Sequence, residues 1–127
     1  MLDVSPRDSL TDLIIGAAIV VHKEMGPGLL ESTYEACLAY ELSSRGIKVE
    51  QQKSLPVRYR DIELNCGYRI DMLVDSRVIV ELKTVDKLLP IHQAQLITYL
   101  KLAECHTGLL INFNELLLRD GIRRMVV

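Results

Sequence analysis

Asp71, Glu81 and Lys83 lie among Ile, Met, Leu and Val in residues 68–84, which read YRIDMLVDSRVIVELKT. If residues 75–77 form a three-residue hairpin loop, Asp71 lies directly opposite Glu81 on the neighbouring strand. Opposed carboxylates have Cβ atoms roughly 4.5–5.5 Å apart and destabilise a sheet unless something neutralises them. Asp71 and Glu81 can supply oxygen ligands to Mg²⁺ or Mn²⁺, and Lys83 on the same face would lie beside a bound water or a substrate phosphate.

The proposed register also sorts the hairpin into two faces, because side chains alternate along a strand. One face is apolar and consists of Ile70, Met72, Val74, Val78, Val80 and Leu82. The other carries Arg69, Asp71, Glu81 and Lys83 beside Leu73 and Ile79. A second interpretation stays open at this point: a solvated face on which Arg69 and Lys83 pair with the two acids, which is common and contributes little.

Three helices are predicted around this hairpin. The first is capped by Ser9 or Thr11 and ends near Glu24, before the Gly-Pro-Gly sequence at 26–28. The second runs from about Leu29 to Arg45-Gly46, where glycine suits a helix end. The third runs from Pro90 or Ile91 to Glu104, with Leu96, Tyr99, Leu100 and Ala103 as its inner stripe.

The remaining segments alternate with period two and predict strands. Residues 47–84 predict three or four antiparallel strands, broken at Pro56, at 60–61 and at 75–77. GLLINF at 108–113 suits a strand buried on both faces, and IRRMVV at 122–127 suits an edge strand. The order α-α-β-β-β-α-β-β predicts one α/β (α+β) domain over 1–127, with helices flanking a central mixed sheet.

Composition limits the classes of function. A chain of 127 residues can bury one core, and its net charge of −2 provides no overall attraction to nucleic acid. The three cysteines show no CxxC spacing, so neither a disulfide framework nor a zinc site is predicted. The longest apolar run is too short to span a membrane and no leader is evident at the N-terminus, so the expected location is cytoplasmic.

The spacing of Asp71 and Glu81-Leu82-Lys83 resembles the D…ExK core of the PD-(D/E)XK nuclease superfamily. Gly28, Glu31 and Tyr34 also match the signature of the GxxExxY protein family, a group of small prokaryotic proteins within that superfamily. Most of the chain follows the pattern of that family, including YRIDMLV, VIVELKTV, QAQLITYLKL and GLLINF. The resemblance implies a restriction-endonuclease-like fold and a metal-dependent site that cleaves phosphodiesters.

The positions of three further residues indicate that they belong to the same candidate site. Glu31 heads the helical row of two expected core leucines and so points toward the sheet, although an acid in a first helical turn is also favoured by the helix dipole. The resemblance implies that Glu31 is a third carboxylate for the metal. Gln95 and Tyr99 lie four residues apart on one helical face. They resemble a QxxxY motif of helicase-associated exonucleases, which implies a role in positioning the active site or the substrate.

The leading hypothesis is Mg²⁺- or Mn²⁺-dependent hydrolysis of nucleic acid, with DNA favoured over RNA as the partner. Asp71, Glu81 and Glu31 would hold the metal, and Lys83 would orient water and stabilise charge on the phosphate. Two alternatives are a catalytically silent nuclease-fold module for binding or assembly, and an enzyme acting on a nucleotide or a damaged RNA end. A homodimer or a protein partner is compatible with the small size under each of them.

Overall fold

The computed structural model describes residues 8–127. The part of the predicted domain before Asp8, where the expectation of no leader rests, lies outside the described residues. In chain order the elements are α1 (Ser9–Met25), α2 (Glu31–Ser44), β1 (Val49–Ser54), β2 (Val57–Tyr59), β3 (Ile62–Leu64), β4 (Arg69–Val74), β5 (Val78–Lys83), α3 (Pro90–Ala103), β6 (Thr107–Asn112), a 3₁₀ turn (Leu118–Gly121) and β7 (Ile122–Val126). Among these residues, no helix has the length and apolar character needed to cross a membrane.

Five strands form a mixed sheet in the order β1-β4-β5-β6-β7. Only the β5–β6 pair of that sheet is parallel, and α3 is the crossover between these two strands. The predicted fold class is confirmed. The three helices and the five strands of this sheet follow the predicted chain order α-α-β-β-β-α-β-β. The strand count for residues 47–84 is corrected to five, because β2 and β3 leave the sheet after Pro56 and pair only with each other.

Apolar side chains pack on both faces of the sheet, which gives three layers. On one face, α1 and α2 cover alternate residues of β4, β5 and β6. On the other face, α3 covers the residues between them, and its predicted inner stripe is confirmed by the buried Leu96, Tyr99 and Leu100. Leu73 and Ile79, the two apolar members of the predicted charged face, therefore lie beneath α3.

The predicted hairpin register is confirmed where β4 and β5 pair regularly, since Val74 lies opposite Val78. That pairing ends at Met72 and Val80, just before the two acids. Ile70 is a correction, because it packs in the cluster under α3 and not with Met72. The alternation of β4 shifts here because its neighbour Gln52 on β1 has a left-handed φ of 50° and the pairing with β5 has already stopped.

The helix ends differ slightly from the predicted ones. The N-cap of α1 is Asp8, whose Oδ1 accepts the Leu10 N–H at 2.8 Å. The second helix begins at Glu31, two residues later than expected, because the chain first makes a tight turn. Within that turn Gly28 has φ 96°, a conformation that side chains other than glycine rarely adopt.

Candidate active site

Asp71 and Glu81 are joined by a pair of hydrogen bonds that cross between their strands. The Asp71 N–H donates to Glu81 Oε1 at 3.1 Å, and the Leu82 N–H donates to Asp71 Oδ2 at 2.9 Å. Each carboxylate therefore accepts a hydrogen bond from the backbone of the other strand. Both side chains are fixed at the end of the hairpin where the regular pairing stops.

Glu81 is buried, with 6% of its surface exposed. Burial, followed by the nearby Asp71 carboxylate, raises the pKa of Glu81 from 4.5 to about 8. The hydrogen bond from the Asp71 backbone and the Lys83 ammonium oppose this rise in pKa without cancelling it. A solvated sheet face is therefore the wrong description for Glu81, whose carboxylate would be stabilised by a nearby cation.

Glu31 approaches the same acids from the N-terminus of α2. Burial raises the pKa of its carboxyl, and the charge of Asp71 raises it further while Lys83 lowers it. The start of α2 is held by Tyr34, whose hydroxyl donates to the Gly26 carbonyl and accepts the Leu29 N–H at 3.1 Å. Tyr34 thus fixes the turn that precedes Glu31.

Lys83, Gln95 and Tyr99 line one groove of about 650 Å³ next to the acids. Gln95 Nε2 donates to the Tyr99 hydroxyl at 3.4 Å, so the two predicted positioning residues contact each other. Burial raises the pKa of Tyr99, and the neighbouring carboxylate of Glu81 raises it further. Lys83, Gln95 and Tyr99 therefore share one groove. Asp71 is bonded to Glu81, and Glu31 is close enough to Asp71 and Lys83 for their charges to shift its pKa.

The donor chemistry of this cluster fits a hard divalent cation, which prefers carboxylate oxygens. Asp71 and Glu81 provide two carboxylates held in place, and the burial of Glu81 favours a positive partner. Within residues 8–127, however, no three His, Cys, Asp or Glu side chains are grouped tightly enough to hold a metal ion as they stand. Glu31 is an electrostatic neighbour of the pair and not a member of a complete three-ligand cluster.

Two residues near the site could not be found from the sequence. Gln52 Nε2 donates to Glu35 Oε1 at 2.7 Å and to Asp71 Oδ1 at 3.4 Å, so it links an acid of α2 to the acid of β4. Tyr68, just before β4, lies in the groove with Lys83. Gln52 carries no local signal because it lies in an ordinary polar strand, and Tyr68 resembles any aromatic residue at a strand end.

A mixed sheet between helical layers, with an aspartate and a Glu-x-Lys sequence on adjacent strands, defines a nuclease-like α+β fold. The chain belongs to the PD-(D/E)XK nuclease superfamily, whose family model matches residues 8–125. Membership implies a nucleic-acid substrate, and nucleases of this superfamily typically use divalent metal ions. No match was found among curated proteins or among solved structures.

Proposed function

We propose that this chain is a nuclease that uses Mg²⁺ or Mn²⁺ to hydrolyse phosphodiester bonds of nucleic acid, with DNA favoured over RNA. The observation that carries the proposal is the crossed pair of Asp71 and Glu81, in which the buried carboxylate of Glu81 lies two residues before Lys83, a lining residue of the groove. A buried carboxylate next to a second carboxylate is stabilised in its charged form by a bound cation, and strongly shifted pKa values are concentrated at functional sites.

Each side chain then has a defined role. Asp71 and Glu81 would hold the cation, with Glu31 as the third carboxylate. When bound, the cation supplies Lewis-acid polarisation of the phosphoryl group and of the attacking water. Lys83 orients that water and stabilises the negative charge that develops on the phosphate. Gln95 and Tyr99 position the lysine or the substrate strand from α3.

The finer family assignment is part of this proposal. Gly28 at φ 96°, Glu31 beside the acids and Tyr34 bonded to the same turn give each position of the GxxExxY signature a physical reason. The three cysteines are free thiols, in agreement with a reducing, cytoplasmic location. A homodimer or a protein partner would extend the small surface that one chain offers to nucleic acid.

A second candidate function is a nuclease-fold module that binds or assembles without turnover. It is favoured by one observation, namely that no complete three-ligand group is formed within residues 8–127. Calorimetry separates the two candidates. Uptake of Mn²⁺ by the metal-free wild type, lost in Asp71→Asn, supports the nuclease, whereas no uptake at millimolar concentration supports the silent module.

Cleavage assays test the nuclease directly. Single-stranded, double-stranded and branched DNA and RNA are incubated with Mg²⁺ or Mn²⁺ and with wild type, Asp71→Asn or Lys83→Ala. Asp71→Asn keeps the side-chain size and an oxygen for the Leu82 N–H, so lost activity reports the lost charge. We expect each variant to lose about 100-fold or more in rate.

The matched control is Lys101→Ala, an exposed lysine of α3 that is not among the lining residues of the groove. Its rate should equal that of the wild type. Absence of cleavage by the wild type on every substrate, or full activity in both site variants, would contradict the proposed function.

A further inference from the structure

The groove beside Lys83 has a composition that the cleavage chemistry alone does not require. One wall is a face of α3 that includes Ile91, Gln95 and Leu102, and the opposite wall includes Val57 and Tyr68. Most of this lining is apolar or aromatic, although a phosphate would be bound better by further cations and N–H donors. The groove therefore suits a flat, largely apolar group that is attached to a phosphate.

Tyr68 is held in a defined orientation and still leaves much of its surface accessible. The rings of Tyr68 and Tyr99 make an edge-to-face contact, with an interplanar angle of 66° and centroids 6.2 Å apart. The backbone of Tyr68 is fixed as well, because its carbonyl accepts the Leu55 N–H at 2.9 Å. With 48% of its surface exposed, Tyr68 offers a stacking surface. Exposed aromatic side chains stack on nucleobases with little sequence preference, because every base has a flat face.

The charge of the groove also matches a nucleotide. Of the lining residues in the described part of the chain, Lys83 alone is a lysine, arginine, aspartate or glutamate. The groove therefore combines a single positive charge with an aromatic and apolar surface. A nucleotide has the same arrangement, since its charged phosphate adjoins a flat base.

We propose that this groove binds an unpaired nucleobase next to the cleaved phosphodiester, with Tyr68 as the stacking residue. The inference rests on the proposed function and narrows its substrate to nucleic acid that is single-stranded, flapped or frayed at the site. Bases within a duplex are already stacked and paired, and opening them costs a few kcal/mol. An intact duplex should therefore bind less tightly, and react more slowly, than a single strand of the same sequence.

Binding of a short fluorescein-labelled oligonucleotide to the metal-free protein, measured by anisotropy, tests the groove without cleavage. The wild type should bind the single strand more tightly than the blunt duplex. Tyr68→Ala should weaken single-strand binding by about 5- to 100-fold, the range for one lost stacking contact. Tyr68→Phe keeps the ring and should bind like the wild type. The circular dichroism spectra of both variants show whether the fold is intact.

An exposed tyrosine elsewhere provides the matched control. Tyr40 is 75% exposed on α2, away from the groove, and Tyr40→Ala should bind like the wild type. An oligonucleotide with abasic positions should bind the wild type less tightly and should show no further loss with Tyr68→Ala. That non-additivity assigns the contact to the base and not to the phosphate backbone.

The outcomes separate this inference from the proposed nuclease. Equal binding of single strand and duplex, unchanged in Tyr68→Ala, overturns the inference even if the protein cleaves both. Binding that depends on Tyr68, without cleavage in Mn²⁺, supports the base site while the nuclease function fails. Binding that is independent of Tyr68, together with a dimer that Tyr68→Ala dissociates, assigns the groove to a protein contact and overturns the inference.

Discussion

Asp71 and Glu81 each accept a hydrogen bond from the backbone of the other's strand. Two carboxylates at opposed positions would normally push the strands apart. Here the backbone donors satisfy one oxygen of each, and the raised pKa of Glu81 keeps that carboxyl protonated near neutral pH. The folded protein therefore needs no metal to avoid charge repulsion between the two side chains.

This arrangement makes the stability of the metal-free protein depend on pH. Between about pH 4.5 and 8 the folded state keeps a proton on Glu81 that the unfolded state has released. The folded state then binds more protons, so the free energy of unfolding falls as pH rises, by at most about 1.4 kcal/mol per pH unit. The stabilising contribution is complete below pH 4.5 and is lost as pH rises through the folded pKa of about 8.

Urea unfolding in EDTA across this pH range measures the effect. Glu81→Gln, which cannot titrate, should show a much flatter profile; the remaining slope includes Glu31, whose raised pKa acts in the same direction. If wild type and Glu81→Gln have parallel profiles, Glu81 is ionised in the folded protein and the assignment of its pKa is wrong.

At the scale of elements, the start of α2 depends on one buried hydroxyl. Tyr34 is fully buried, its ring stacks on Phe113 with centroids 4.5 Å apart, and its hydroxyl bonds to Gly26 and Leu29. Tyr34→Phe keeps the stacking and removes both hydrogen bonds, which should cost about 1–3 kcal/mol in the free energy of unfolding. Mn²⁺ affinity should also fall, because the turn before Glu31 loosens.

Denaturant unfolding and Mn²⁺ titration measure these two effects. Tyr40→Phe on the same helix removes an exposed hydroxyl and should change the free energy of unfolding by less than about 0.5 kcal/mol. Equal stability and equal Mn²⁺ affinity in Tyr34→Phe and wild type would show that the turn is held without the hydroxyl.

The position of α3 depends on a close approach to β6. A Cβ added at Gly108 would lie 2.9 Å from Cδ1 of the buried Leu96, so α3 packs where only glycine leaves room. Gly108→Ala should therefore destabilise the protein by about 1–3 kcal/mol. Cleavage should fall as well, because Gln95 and Tyr99 move with α3.

The same substitution in a Leu96→Ala background should cost less, since the side chain it meets is gone. Gly16→Ala is the control, because that site is helical and its nearest neighbour is 3.9 Å away. It should stabilise the protein by about 0.5–1 kcal/mol. Additive effects of Gly108→Ala and Leu96→Ala would show that the two residues do not press on each other.

At the scale of the whole molecule, the sequence predicted the features that depend on residues close together in the chain. The three-residue loop and the alternating valines were sufficient for the register of β4 and β5. The β2–β3 pair was not predictable as a separate sheet, because its alternation looks the same whichever strand it joins. The contacts of the Tyr34 hydroxyl and of Gln52 were missed, since they link elements that only the complete fold brings together.

The fold and the candidate site are coupled through the buried acid, so a cation should stabilise the entire molecule. A ligand that binds only the folded state raises the free energy of unfolding, by about 2.7 kcal/mol at 100 times its dissociation constant. The gain from Mn²⁺ should be larger near pH 8 than near pH 5, because binding at low pH must displace the proton of Glu81. Urea unfolding with Mn²⁺ or EDTA at both pH values measures this gain. Glu81→Gln should lose most of it, and an equal gain in that variant would place the cation elsewhere on the protein.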